Sequence, residues 1–405
     1  MTLSLLIDLD DTLISNQMDT FIPVYLEALG KRLAEHGDSE LLIAKLLAAT
    51  ERMMHNARPD FTLKETFDEN YYPQIGIAYE SLQPVIDDFY ANYFPSLKDL
   101  TKPRKEAVAF IKEAFKRGYQ IAIATNPLFP KSAIYQRLNW GNLSPDTYEY
   151  SLVTTYENFH YAKPNPAYFA EILAHMGWID GPVVMVGNDI QADIEPAREI
   201  GLATYWIENG NGYAKLTSDD ALLFGHGGLG TIMDWIDSQP IEYLQPKFDI
   251  PKAVTATLYS TPAALNTLVQ EIPEEVWNSH GNSDEWGPTE VICHLRDVDQ
   301  EIYLPRIKSI LSEDNPFIEA IDADQWAEER GYKKQDGYKA FSEFMSHRKK
   351  ILDIISTFEQ EEWNKEARHT IFGPTTMLEL LQIYARHDRL HIQQIHQALD
   401  NMKGI

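Results

Sequence analysis

Cysteine is almost missing. The 405 residues contain one, Cys293, which excludes an internal disulfide and a thiolate zinc cluster and fits a reducing compartment. Positive charge is also scarce: Lys and Arg total 35 against 61 Asp and Glu, a formal net charge of −26. Binding nucleic acid or an anionic membrane relies on clustered Lys and Arg that release counterions, so neither is expected as a partner. No run approaches the roughly 20 apolar residues that span a bilayer. The chain opens without a basic stretch, an apolar signal core or a small-residue cleavage site, so a cytoplasmic location is expected. What is present is ordinary globular material, 44% hydrophobic, over a length that calls for two or three cores.

The chemistry starts at once. Leu3-Ser4-Leu5-Leu6-Ile7 runs into Asp8-Leu9-Asp10-Asp11-Thr12, a short buried strand delivering carboxylates to its carboxyl end, where open α/β sheets bind ligands. Asp8 and Asp10 are expected to face one crevice, with Leu9 turned into the sheet between them. Such close like charges call for a shared cation or a protonated partner. From 16 to about 100 the spacing is helical, as in Tyr25-Leu26-Glu27-Ala28-Leu29, and predicts an all-helical insert over the crevice that excludes water. Lys105 to Arg117 reads as an amphipathic helix ended by Gly118. Gln120 to Ala124 follows as a second buried strand, and the Thr125-Asn126 turn beyond it offers a hydroxyl and backbone N–H groups suited to phosphate oxygens. Lys163, in Lys163-Pro164-Asn165-Pro166, is a stiffly held cation at a helix entrance. A third strand, Val183 to Val186, breaks at Gly187-Asn188-Asp189-Ile190-Gln191-Ala192-Asp193. Asp189 and Asp193, four apart, share one side of a helical turn, as a hard cation such as Mg²⁺ requires. Gly201 to Ile207 supplies one further strand and Leu229 to Ile236 a closing helix.

Four such stations in this order resemble the haloacid dehalogenase (HAD) superfamily: Asp8-Leu9-Asp10-Asp11-Thr12 matches its first motif, Thr125 its second, Lys163 its third, and Gly187 to Asp193 its fourth. The resemblance covers roughly the first 240 residues. It implies a Rossmann-like core (1–15 and 101–237) with a helical cap (16–100), and an Mg²⁺-dependent phosphatase acting on a small phosphorylated metabolite. Asp8 would be the nucleophile, Asp10 the general acid and base, and Thr125, Asn126 and Lys163 the phosphate ligands. Mg²⁺ would be held by Asp8, the Asp10 carbonyl and Asp189, with Asp193 supporting. Dehalogenase members lack a carboxylate at the position of Asp10, since halide leaves unprotonated, so Asp10 favours a phosphatase. The insert resembles the small-molecule phosphatases that include phosphoglycolate phosphatase. Asp11 stands where many relatives carry glycine, its side chain expected to point away from the site.

The stretch 238–251 is punctuated by proline and without periodicity, and reads as a linker. Beyond it every signal is helical: Ala253 to Ile272, Pro288 to Leu311, Tyr338 to Phe358 and Thr376 to Leu399 predict an all-α four-helix bundle over 252–405. His387 and His391 lie i, i+4, about 40° apart around a helix. With His294 from an earlier helix they would give three neutral imidazoles and an open position for Zn²⁺, Ni²⁺ or a similar ion. Trp286 to Leu295, Gly373-Pro374 and His387-Asp388-Arg389-Leu390-His391 resemble the DinB-like family of four-helix bundles, which implies a divalent metal on those histidines. Cys293 reads as a small buried hydrophobe. Two other readings stay open: the bundle is the main active unit, as a metal-dependent thiol transferase or hydrolase, or it is a dimerisation module that makes a homodimer.

Overall fold

In this computed structural model the described residues are 2–208, 224–273, 276–277 and 285–403. The chain divides into two compact units, Met1–Ile172 with Asp180–Lys247, and Leu173–Ile179 with Phe248–Ile405. Among the described residues no helix is long and apolar enough to cross a membrane.

The first unit is built on β1 (Ser4–Ile7), a strand buried along its whole length. β2 (Ile14–Ser15) leads into four cap helices, α1 (Met18–Leu33), α2 (Ser39–Met54), α3 (Leu63–Ile75) and α4 (Tyr79–Asp88). β3 (Lys102–Pro103) brings the chain back, pairing antiparallel with β2 so that both legs of the insert meet in one ribbon. Then follow α5 (Lys105–Lys116), β4 (Gln120–Ile123), α6 (Lys131–Trp140), β5 (Leu152–Val153), α7 (Pro166–His175), β6 (Val183–Gly187), α8 (Glu195–Glu199), β7 (Ala203–Ile207), β8 (Gly225–Gly227), α9 (Ile232–Ser238) and α10 (Ile241–Leu244). The main sheet has the order β5-β4-β1-β6-β7-β8 and is parallel throughout. β1 sits between β4 and β6, in register Ile7 with Ile123 and Val186, so the ends of all three strands open on one crevice. Leu5, Ile7, Ile121, Ile123, Val184 and Val186 share a hydrophobic cluster with Phe21, Tyr25, Phe89 and Phe94 of the insert. Tyr71 and Tyr72 pack inside the insert.

The sheet has six strands where the apolar runs gave four. β5 and β8 contain two and three residues and sit at the two edges of the sheet, where pairing needs no apolar run to announce it.

Four long helical stretches make the second unit, as expected: α11 (Pro251–Glu271), α12 (Pro288–Val298) continued through a wide turn into α13 (Leu304–Ser312), then, past α14 (Trp326–Glu329), α15 (Gly337–Ile355), and, past α16 (Gln360–Trp363), α17 (Met377–Lys403). The expectation that this half is wholly helical is corrected by a small sheet of β9 (Phe317–Ile318), β10 (Glu366–His369) and β11 (Gly373–Thr376). These strands are too short to show an alternation, and Pro374 lies on β11 at the edge of the sheet, where no ladder donor is needed.

Three π-turns, Phe89–Tyr93, Ile190–Ile194 and Asp299–Tyr303, share a cause in the sequence. Each ends two residues before a proline: Pro95, Pro196 or Pro305. Proline cannot donate to the carbonyl four residues back and its ring crowds that carbonyl, which favours a widened turn ahead of it, although Pro23, Pro73 and Pro262 lie inside helices that remain α. The widened turns carry buried Asp193 in one case and buried Asp299 and Tyr303 in another.

One buried cation joins all four bundle helices. Arg348 on α15 donates from Nε and Nη2 to Asp299 at 2.8 and 2.9 Å, from Nη2 to Asp388 on α17 at 3.0 Å and from Nη1 to the other Asp388 oxygen. Nη1 also reaches the Leu258 carbonyl on α11 at 3.4 Å. All three charged side chains are fully buried, and burial pushes the Asp299 carboxyl up to about 6. Removing the guanidinium strands two buried carboxylates. Arg348→Ala should therefore destabilise the second unit by about 3–5 kcal/mol, read as an earlier transition in urea unfolding; an unchanged midpoint contradicts this role.

Candidate active site and metal centre

The turn after β1 is shaped by its own side chains. Asp11 takes φ +58°, a left-handed conformation that glycine adopts without strain. Its Oδ1 accepts from the Asn16 and Gln17 N–H groups at 3.0 and 3.1 Å, a local compensation open to Asp. Arg104, just past β3, donates to the Asp11 and Thr12 carbonyls at 2.9 Å each. Both legs of the insert are thus tied to the acidic turn.

Around that turn lies a cleft of about 1210 Å³ lined by Asp8, Asp10, Thr125, Asn126, Lys163 and Asp189, among others. Every sequence-predicted residue of the first unit lines it, Asp193 included. From the cap it is reached by residues 17–20, at the entrance to and start of α1. Lys163 is the centre: its Nζ donates to Asp8 Oδ1 at 2.7 Å and to Asp193 Oδ1 at 2.5 Å. Thr12 Oγ1 donates to Asp8 Oδ2 at 2.9 Å. Burial pushes the Asp8 carboxyl up to about 7, opposed by the Lys163 cation; the two carboxylates hold the Lys163 ammonium above its ordinary value despite burial. One cation between two carboxylates leaves a net charge of −1, which a metal ion can balance. Asn126 Oδ1 accepts from the Lys163 N–H at 3.2 Å, so it fixes the lysine loop. The Thr125 carbonyl accepts from Thr154 Oγ1 and Tyr168 Oη, both at 2.7 Å, setting the strand end. Asp189 Oδ1 caps the π-turn, accepting from the Gln191 and Ala192 N–H groups at 2.8 and 2.9 Å. Asp193 Oδ2 accepts from the Asp189 N–H at 3.1 Å.

Sequence reasoning missed the partner of Asp10. Arg137, fully buried on α6, donates from Nη1 to both Asp10 oxygens at 2.9 and 2.7 Å. Asn16 Nδ2 donates to Asp10 Oδ1 at 2.9 Å, and Asn16 Oδ1 accepts from Thr101 Oγ1 at 2.6 Å. Nothing local marks Arg137, because its partner lies 127 residues away.

In the second unit His294, His387 and His391 meet, their ligand nitrogens all within 4.8 Å of one another. His387 Nε2 lies 3.0 Å from Nε2 of both His294 and His391. His391 Nδ1 is paired with Gln394 Oε1 at 2.7 Å; since an amide oxygen only accepts, Nδ1 carries the hydrogen and Nε2 presents a lone pair. Gln394 is thus an orienting residue of the kind metal ligands need. Burial lowers all three histidines, His294 to about 3, so they are neutral at pH 7. Three neutral imidazole nitrogens converging at this spacing, from side chains two of which leave Nδ1 without a partner, form a donor set that fits a divalent transition metal. Trp286 stacks on His391 with ring centroids 6.0 Å apart, and Tyr303 meets His387 edge-on at 5.8 Å. Cys293 is fully buried, and burial pushes its thiol up to about 11, which suits a core residue and not a nucleophile or a ligand.

Residues 4–201 match the haloacid dehalogenase-like hydrolase family, and residues 257–395 match the DinB superfamily. A phosphoserine phosphatase of Thermus thermophilus is 30% identical over 105 residues, 26% of this chain and 40% of that protein. The match thus spans about two-fifths of the length of that relative. A candidate metal-dependent hydrolase of Oceanobacillus iheyensis is 25% identical over 134 residues, 33% of this chain and 77% of that protein. The solved HAD phosphatase of Thermococcus onnurineus is 15% identical, with 59% of this chain and 99% of that one covered and a TM-score of 0.38.

Gly187 marks the end of β6, where a Cβ would overlap the Asp193 side chain. Gly187→Ala should lower stability by about 1–3 kcal/mol in denaturant unfolding, whereas Gly230→Ala, with nothing within 4 Å, should leave the midpoint near that of the parent. Equal midpoints for the two variants contradict the packing argument.

Proposed function

From a chain that joins a haloacid dehalogenase-like hydrolase domain to a DinB superfamily domain, we propose an Mg²⁺-dependent phosphatase for small phosphomonoesters, with a second divalent metal in the bundle. The observation that carries the reading is Lys163 held between Asp8 and Asp193 at the floor of a cleft that also receives Asp10. An Asp8 oxygen attacks phosphorus, the bond to the leaving alkoxide breaks, and Asp10 gives that alkoxide a proton. Water then attacks the aspartyl-phosphate, Asp10 takes its proton, and phosphate leaves as the Asp8 carboxylate is regenerated. Lys163 and Thr125 bind the transferring oxygens and offset their charge. Asn126 acts through the lysine loop that it fixes. Both Asp10 oxygens accept from Arg137, so before the first step Asp10 must release that guanidinium and take up the proton that it then gives to the leaving oxygen. Asp8, the Asp10 carbonyl and Asp189, with Asp193 in support, would hold Mg²⁺, which supplies charge neutralisation at the phosphoryl oxygens.

The test is phosphate release from p-nitrophenyl phosphate with added Mg²⁺. Asp8→Asn should abolish it and Asp10→Asn should lower it by about 10²–10⁴; full activity in Asp8→Asn defeats the proposal.

The three-histidine centre would hold Zn²⁺, Ni²⁺ or a similar ion through neutral imidazoles and leave a position for water or a thiol. This favours a second, metal-dependent chemistry in the bundle over a purely structural module. Elemental analysis of the purified chain should find about one transition metal per chain, lost when His294, His387 and His391 are replaced by alanine. Equal metal content in the parent and the triple variant rules the centre out.

A further inference from the structure

The cleft is larger than the chemistry proposed for it. Its volume of about 1210 Å³ exceeds the roughly 300–1,000 Å³ that encloses a drug-sized ligand, so a phosphoryl group and its metal fill only a part. Beyond the acidic turn, Thr125 and Lys163, its lining includes Ile190, Arg198, Trp206 and Phe224, and no role above uses them. Three of these make an apolar wall. Trp206 and Phe224, both buried, share a cluster with Ile194, and Ile190 packs against it. The Trp206 indole N–H donates to the Asn188 carbonyl at 2.9 Å, which ties the wall to the turn that carries Asp189. Such a wall takes planar or apolar atoms of a ligand.

Arg198 is set apart by its charge. Among carboxylates, the described lining carries two cations, Lys163 and Arg198. Lys163 is committed to Asp8 and Asp193. Arg198, half-buried on α8, makes no ion pair among the described residues, although Glu195 stands three places before it on the same helix, a spacing at which opposite charges meet. Its guanidinium lies instead over the Phe224 ring, 5.8 Å from the centroid. An arginine fork laid on an aromatic face, with no carboxylate on its N–H groups among the described residues, is ready for a planar anion.

We propose that Arg198, Phe224 and Trp206 form the subsite for the far end of the leaving group, and that the substrates are phosphomonoesters whose alcohol or phenol carries a second anionic group, a carboxylate or a further phosphate. Arg198 donates to that anion, and the aromatic wall takes the carbon skeleton between it and the phosphoryl group. Carboxylates elsewhere in the cleft repel a second negative charge, so Arg198 selects the place of the anion as well as its presence. The proposal rests on the phosphatase reading above, and its test separates the two.

Phosphate release is measured with added Mg²⁺ from phenyl phosphate, 4-carboxyphenyl phosphate and 1,4-phenylene bisphosphate. The quantity compared between parent and variants is the ratio of kcat/KM for each anionic probe to that for phenyl phosphate. Loss of folded enzyme lowers both terms alike and cancels, and so does the difference in leaving-group acidity. Arg198→Ala should lower the ratio by at least about tenfold, through KM; Arg198→Glu should lower it further, and Arg198→Lys should restore part of it. A fall for one anionic probe alone supports the subsite and tells which anion it takes. An unchanged ratio for both probes in Arg198→Ala overturns the subsite and leaves the phosphatase reading standing. Absence of phosphate release from all three by the parent overturns that reading and the subsite with it.

Discussion

The Lys163 ammonium, buried between the carboxylates of Asp8 and Asp193, is the interaction on which the first unit's chemistry depends. Two acids brought this close by β1 and β6 would repel without it, and burial alone would leave Asp8 reluctant to ionise. The cation keeps both acids in place yet stops short of full neutrality. In the function proposed here, the one buried negative charge in excess would be balanced by a metal ion, and metal and lysine together would receive a phosphoryl group. Proline on both sides of Asn165 stiffens the loop behind the lysine, and Asn126 holds its backbone, so little freedom is lost when it meets a ligand.

The second unit repeats the charge arithmetic to a different end. Arg348 also stands between two aspartates, Asp299 and Asp388, but its planar fork reaches both oxygens of each. There the ion triad ties helices together. Its position one residue from His387 fixes the helix face that presents the histidines. The first triad borders a cleft that Asp8, Lys163 and Asp193 line; the second is buried throughout and ties helices together.

Much of this was legible because it is local. Asp8 and Asp10 are two residues apart on a strand end, Asp189 and Asp193 four apart on one turn, and His387 and His391 four apart on a helix. Period and spacing place such pairs without a fold. The parallel sheet was legible for the same reason at its centre, where strands buried on both faces read as unbroken apolar runs. Its edges were not, since β5 and β8 are shorter than any pattern. The prolines behind the three π-turns stand in the sequence, but their effect is a one-residue widening that periodicity does not register. Long-range partners were invisible: nothing local marks Arg137 until the fold carries it to Asp10, and Gln394 becomes an orienting residue only once His391 faces its neighbours.

The account stands or falls on the Asp8 carboxylate becoming covalently bound to phosphorus. Borohydride reduces an acyl phosphate to an alcohol, so trapping the enzyme during turnover of p-nitrophenyl phosphate and mapping the chain by mass spectrometry reads that bond directly. The account predicts homoserine at position 8 and at no other aspartate. Unreduced aspartate at position 8 in enzyme trapped while turning over, or homoserine at position 10, 189 or 193, contradicts it.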